Sequence, residues 1–273
     1  MTPDVSILIV NFNGAAFIRD CLAAVFASKT DLTYEIILLD NASQDDSAQI
    51  IAGYEPDPRV ICLYNKTNTG FPTGVNQALA HATGAYTLLL NSDAFLHAST
   101  LYSLYQCCQA PSIGVVAPKL LNPDKSLQVP GSNTIVTRRI YGTDRPRAVS
   151  FVSGAVMMLN TAYFRSLGGL DTNFFFYNDD IDLCWRIRKD KKQVYYLATA
   201  TATHYIGASS KTIQPKIIIE SYRSGLWLIK KHYPRLYLLY KTGLILVLKA
   251  KLIYCSEDDR AVFKKALQVV SSC

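Results

Sequence analysis

Tyr86-Thr87-Leu88-Leu89-Leu90-Asn91-Ser92-Asp93 is an apolar run of strand length that passes without a break into three polar residues. A strand covered on both faces reads as a short continuous apolar run, and open α/β sheets gather ligands at the carboxyl ends of such strands. Upstream, the apolar run from Val5 to Val10 ends in Asn11-Phe12-Asn13, and the run from Glu35 to Leu39 ends in Asp40-Asn41-Ala42-Ser43. Between these two runs Phe17, Cys21, Leu22, Val25 and Phe26 recur at helical spacing, and a helix resumes near Ser47. A third strand is expected from Val60 to Tyr64, then a loop from Asn68 to Gly74 that feeds a helix from about Val75 to Ala82. Strand and helix in alternation are the mark of βαβ units, so the expectation is an α/β fold with a mostly parallel central sheet flanked by helices. Downstream, a helix near Thr100 and a strand near Gly114 precede a loop-like stretch from Asn122 to Arg147, and regular structure returns at Ser153.

The chain has 273 residues, 49% hydrophobic and only 18% charged, which excludes a disordered polypeptide. A net charge of +7 suits nucleic acid, anionic lipid or a phosphorylated substrate, and the sign alone does not choose. Seven cysteines form no Cys-x-x-Cys pair, and an odd number argues against a closed disulfide framework, so a reducing cytosol is expected. The N-terminus lacks the cationic start of a signal peptide. No run reaches the ~18 apolar residues of a spanning helix, because Leu236 to Cys255 is interrupted by Lys241, Lys249 and Lys251. Composition changes near Lys216, which divides the chain into a main domain, 1–215, and a basic, aromatic helical segment, 216–273.

Three polar clusters close three strands: Asn11 with Asn13, Asp40 with Asn41, and Asn91 to Asp93. Any one of them reads as a helix cap or turn; three at consecutive strand ends point to one ligand edge. Carboxylate and amides there suit a base and ribose, and Asp93 suits a divalent cation on phosphate oxygens. Asp179, Asp180 and Asp182 crowd three carboxylates into four residues, behind the aromatic run Phe174 to Tyr177. The cluster fits a general base at Asp180, and equally an acidic helix start with Arg186 paired at i+4. His204 follows an apolar strand from Val194 to Leu197; alone it is a structural histidine, and with Asp93 it becomes a ligand candidate. His81, His97 and His232 are expected on the surface or in packing.

Taken together, the segments Val5 to Gly14, Asp40 to Ser43, Asn68 to Asn76, Leu89 to Asp93, Ser153 to Ala155 and Phe174 to Arg186 resemble family 2 glycosyltransferases of the GT-A fold, with the bacterial rhamnosyltransferase-like branch nearest. The resemblance covers about residues 4 to 210, and its specificity lies in the motif order. It implies an inverting, metal-dependent transfer from a nucleoside-diphosphate sugar to a hydroxyl of a glycan or lipid-linked acceptor, in bacterial cell-surface polysaccharide synthesis. It implies donor-nucleotide contacts at Asn11, Asn13, Asp40, Asn41, Asn68, Gly70, Asn76, Asn91 and Ser92. By the same route Asp93 and His204 become ligands of Mn²⁺ or Mg²⁺, Ser153, Gly154, Ala155 and Asp179 line the sugar pocket, and Asp180 is the catalytic base. Asn91 stands where the family's metal motif has its first carboxylate, and Asp179 where it usually has Glu. The branch tilts the donor toward a deoxythymidine diphosphate sugar such as rhamnose.

The basic, aromatic C-terminal segment, from Arg223 and Trp227 to Tyr240 and Lys241, suits the headgroup level of a membrane, which implies a cytoplasmic protein held peripherally on the inner face of the cell membrane. A helical hairpin packed on the body, or a homodimer surface, is the alternative. Two other functions compete. A nucleotidyltransferase lacks support, since there is no P-loop and no Gly-x-Gly-x-x-Gly. A non-catalytic module on membrane or nucleic acid leaves the acidic cluster unexplained, and no nucleic-acid partner is expected.

Overall fold

The computed structural model describes residues 2–130, 135–205 and 214–272. The first third alternates as the apolar spacing requires: β1 (Val5–Asn11), α1 (Ile18–Phe26), β2 (Tyr34–Asp40), α2 (Ser47–Ala52), β3 (Val60–Tyr64), α3 (Phe71–His81) and β4 (Tyr86–Asn91). These strands run parallel in the order β3-β2-β1-β4. Their register sets Asn11 opposite Asp40 and Val10 opposite Asn91, so the polar strand ends share one edge. Ile7, Ile9, Leu38 and Leu88 pack with α1 on one face, while Leu8, Ile37, Leu39 and Leu89 pack with Val75 and Ala78 of α3 on the other. Cover on both faces is why these strands read as unbroken apolar runs rather than alternating ones.

Beyond β4 the sheet becomes mixed. The elements are β5 (Ala94–Leu96), α4 (Thr100–Cys108), β6 (Ile113–Leu121), β7 (Leu127–Gln128), α5 (Ile135–Tyr141), β8 (Arg147–Val149), β9 (Val156–Asn160), α6 (Thr161–Ser166), α7 (Asp179–Lys189) and β10 (Gln193–His204). Strand β9 inserts antiparallel to β4 and β6, β10 lies parallel to β6, and β5 returns antiparallel to β10. The last pairing sets His204 opposite Ala94, the residue after Asp93. Between 122 and 147 the chain is more ordered than its composition suggests. Helix α5 is held by Tyr141, which is buried and donates its hydroxyl to the Phe151 carbonyl, while the Tyr196 hydroxyl donates to the Tyr141 carbonyl at 2.7 Å. Residues 131–134 of that stretch lie outside the described residues.

Three helices follow: α8 (Gln214–His232), α9 (Tyr237–Tyr254) and α10 (Glu257–Ser272), with a 3₁₀ turn at Pro234–Leu236. Leu226, Leu248, Ala266 and Val270 form their common core. A division at residue 216 falls inside α8, which is bound to the sheet body. Trp227 Nε1 and Lys231 Nζ donate to Asp171 Oδ2 at 3.1 and 2.7 Å, Lys231 also meets Asp182 Oδ1 at 2.8 Å, and Ser224 donates to the Phe176 carbonyl at 2.7 Å. One face of α9 is bare: Leu238, Leu239, Leu246, Val247, Ile253 and Tyr254 are all at least 50% exposed. Among the described residues no helix is long and apolar enough to cross a membrane.

Candidate functional site

A cavity of about 340 Å³ opens at the carboxyl edge of β1, β2 and β4. Val10 and Phe12 line it from the end of β1, Asn41 from the loop after β2, and Asn68 and Gly70 from the loop after β3; Asn91, Ser92, Asp93 and His204 line it as well. Ser153 to Ala155, Phe175 to Tyr177, Asp179 and Asp180 complete it, with Lys216 and Glu220 from α8. Most residues expected at the site from sequence therefore meet in one space. The link between its two halves is direct, since the Asn91 amide donates to the Ala155 carbonyl at 2.9 Å.

His204 Nε2 lies 3.3 Å from Asp93 Oδ1, and both side chains are about nine-tenths buried. Gln128, on β7, decides what that contact is. Its Nε2 donates to the His204 carbonyl and to Asn122 Oδ1, each at 3.0 Å, which fixes its Oε1 toward His204 Nδ1 at 2.7 Å. A carbonyl oxygen only accepts, so Nδ1–H donates to it and Nε2 is the ring nitrogen turned toward the Asp93 carboxylate. An imidazole nitrogen and a carboxylate oxygen facing each other in the cavity, with the buried Asn91 Oδ1 also lining it and unpartnered among the described residues, form a donor set that fits a divalent cation. Among the described residues no third His, Cys, Asp or Glu joins them, so such an ion would complete its shell with phosphate oxygens and water.

At the far wall Asp180 is held by two backbone donors, Gly154 N–H to Oδ2 at 3.0 Å and Ile181 N–H to Oδ1 at 2.8 Å. Tyr177 and Asn178 enter α7 with φ of 66° and 64°, a left-handed pair that turns the chain sharply so that the helix begins at the carboxylates. Burial, with Asp180 alongside, pushes the Asp179 carboxyl up to about 8, and burial raises Asp180 as well. Asp182 belongs elsewhere. It is fully buried, pairs with Arg186 at i+4 as the helix-start reading anticipates, and also takes Lys231 and His232. His232 is thus in packing, against Trp185, and its burial lowers its pKa.

The nucleotide-side expectations divide. Asn41 lines the cavity and braces it: its Oδ1 accepts from Asn65 and Thr69, and its Nδ2 donates to Asn68 Oδ1 and the Gly70 carbonyl. Gly70, at φ 85°, lies so close to Phe175 that a Cβ would come within 2.8 Å of its carbonyl oxygen; only glycine joins this loop to the aromatic run. Asp40 and Asn11 lie one layer beneath the cavity. Asp40 accepts from Ser43 N–H, Ser43 Oγ and Asn11 Nδ2, while Asn13 Oδ1 accepts from Gln44 N–H at 2.7 Å, so these residues knit the two loops. Asn76 is a correction. Both ends of its amide bond the Leu170 backbone, at 2.8 and 2.9 Å, and it lies outside the cavity lining because α3 turns that position toward the loop before α7.

Sequence reasoning missed Gln128, Lys216 and Glu220. Nothing local marks a lone Gln as the partner of a histidine 76 residues away, and the two α8 residues looked like parts of an appendage.

The chain is similar to known proteins in sequence and in fold. The sequence model described as "Glycosyl transferase family 2" matches residues 6–168. The O-antigen biosynthesis protein RfbC of Myxococcus xanthus is 26% identical over 227 residues, a match that spans 77% of this chain and 18% of that protein. The N-acetylglucosaminyl-diphospho-decaprenol L-rhamnosyltransferase of Mycobacterium tuberculosis is 22% identical over 75% of this chain and 77% of its own length. Among solved structures, the mannosyltransferase PcManGT from Pyrobaculum calidifontis, in complex with GDP-Man and Mn²⁺, superposes with a TM-score of 0.64 at 17% identity, covering 100% of this chain and 74% of that one. At that identity the likeness carries the fold, a GT-A glycosyltransferase architecture.

Proposed function

Since the chain belongs to glycosyl transferase family 2, we propose that it moves a sugar, with inversion, from a nucleoside-diphosphate sugar to a hydroxyl of a glycan or lipid-linked acceptor in cell-surface polysaccharide synthesis. The observation that carries this reading is one cavity holding both the Asp93–His204 pair and the backbone-anchored Asp180.

In this reading the Asn41, Asn68 and Gly70 wall takes the nucleotide, with Asp40, Asn11 and Asn13 shaping its loops from beneath. Asp93 and His204, with Asn91, hold a divalent cation, Mn²⁺ or Mg²⁺, together with the donor diphosphate. When bound, the ion neutralises the negative charge that gathers on the leaving diphosphate. Ser153 to Ala155 face the sugar. Asp180 takes the proton of the acceptor hydroxyl as its oxygen attacks the anomeric carbon, and the diphosphate leaves from the opposite face. A carboxylate with a raised pKa is a stronger base for so weak an acid, and the two N–H groups fix its direction.

The test uses dTDP-rhamnose as donor and N-acetylglucosaminyl-diphospho-decaprenol as acceptor, the acceptor chemistry in the mycobacterial relative's name. Asp180→Asn should lower kcat by at least about 10²-fold while the thermal shift produced by donor and Mn²⁺ stays as in the wild type. Loss of that shift along with turnover would make Asp180 a donor ligand instead.

The finer location follows from charge. Residues 216–273 hold 11 Lys and Arg against 4 Asp and Glu, a net +7, whereas residues 1–215 hold 17 of each. The bare apolar face of α9 lies in this cationic part, with the exposed Lys249 on the same helix. Apolar area with clustered cations is the chemistry that binds an anionic bilayer surface, so the proposed place is the inner face of the cell membrane, where lipid-linked acceptors are met.

A further inference from the structure

Glu220 is a buried carboxylate whose two oxygens have different surroundings. The residue is 7% exposed; Oε1 accepts from Arg223 Nη1 at 3.0 Å, and Oε2 has no partner among the described residues although the residue lines the cavity. Arg223 is half-exposed, so it compensates the charge from the solvent side and leaves the inner oxygen unsatisfied. A buried acceptor without a donor is unfavourable, and a ligand that brings a donor relieves it.

Position and charge narrow what that ligand is. One turn after Glu220, Ser224 is bonded to the Phe176 carbonyl, just ahead of the left-handed turn into α7. Glu220 therefore stands beside the aromatic run that leads into Asp179 and Asp180, and lines the same cavity as that pair. A carboxylate oxygen only accepts, so it favours a ligand that donates hydroxyls over phosphate oxygens, whereas the exposed Lys216, one turn earlier on the same cavity, suits an anion.

We propose that Glu220 binds the acceptor sugar, its inner oxygen taking a hydrogen bond from an acceptor hydroxyl, so that α8 sets part of the acceptor specificity. The proposal rests on the glycosyltransferase reading above. A hydroxyl of the donor sugar offers the same chemistry, and the kinetics separate the two. With the full chain and the donor and acceptor already named, Glu220→Ala should raise the acceptor KM about 10- to 100-fold, the effect of losing a hydrogen bond to a charged group. The donor KM, and hydrolysis of donor without acceptor, should stay within twofold of the wild type. Glu220→Gln keeps the shape and an accepting oxygen, and its acceptor KM should fall between those of the wild type and Glu220→Ala; it carries the test if the alanine variant fails to fold. An unchanged acceptor KM in both variants, or a rise confined to the donor KM, overturns the assignment while leaving the transferase intact. Absence of any transfer by the wild-type chain overturns the functional reading and this inference with it.

Discussion

Gln128→Leu removes the group that holds His204 in its tautomer while keeping a side chain of similar size. The structure gives the loss term by term. Nδ1–H loses its acceptor at 2.7 Å, and the His204 carbonyl and Asn122 Oδ1 lose donors at 3.0 Å. Gln128 and His204 are both buried, so the orphaned carbonyl costs about 1–3 kcal/mol of stability. The larger consequence concerns the ion. Without Oε1 the ring is free to turn or to move its proton to Nε2, and a nitrogen that carries a proton cannot ligate. Groups that orient a ligating histidine are typically worth about 10- to 100-fold in metal affinity. The assay is a calorimetric Mn²⁺ titration in saturating nucleoside diphosphate, with thermal unfolding of the metal-free protein as a control. Gln128→Glu keeps an acceptor for Nδ1–H and forfeits the two donated bonds, so it should lose similar stability and retain most of the affinity. Equal Mn²⁺ affinity in the wild type and Gln128→Leu would refute the reasoning, and equal weakening by Leu and Glu would reduce Gln128 to a packing residue.

The pH dependence of stability should carry the mark of the acidic pair. A carboxyl raised from 3.8 to about 8 holds its proton in the folded state where the unfolded chain has released it, so stability is greatest at low pH and falls as pH rises from about 4 to about 8. Asp179→Asn should flatten that slope and raise Tm at pH 8; an unaltered slope would place the effect in other groups. Asp182→Ala leaves Arg186, Lys231 and His232 around a vacated buried position and should destabilise by about 3–5 kcal/mol in chemical denaturation. For the membrane face, Leu239→Glu combined with Leu246→Glu should weaken binding to vesicles of anionic lipid by at least about 10-fold, given ~1.5–3 kcal/mol for burying each Leu. The donor-induced thermal shift should not change; vesicle binding equal to that of the wild type would leave the α9 face without this role.

The parallel half of the sheet and the convergence of its strand ends were legible because periodicity and polarity change together at Asn11, Asp40 and Asn91. The Asp180 helix start was legible for a similar reason, since three carboxylates within four residues, behind four aromatics, admit few local explanations. Strand β9 was not, because Val156–Asn160 looks like any short apolar run and only its pairing with β4 makes it the antiparallel bridge of the sheet. Asn76 misled for a physical reason: an amide beside a glycine-rich loop has the same composition whether it binds a ligand or the Leu170 backbone. Glu220 was invisible as a site residue because its significance lies in an oxygen without a partner, a property of three-dimensional surroundings.

The uneven distribution of charge between the two parts of the chain has a dynamic consequence. A body with equal numbers of both signs, joined to helices that carry the whole excess of +7, is electrically a dipole as well as a cation. A negative surface therefore exerts a torque on it in addition to an attraction, and turns the α9 side inward before contact. With a screening length near 8 Å at physiological salt, that torque acts only over about the last nanometre of approach. Low salt should thus change the orientation in which molecules land, and not only how many land. Because α8 is bonded at Asp171, Phe176 and Asp182, the orientation of the helices fixes the direction in which the mouth of the cavity points.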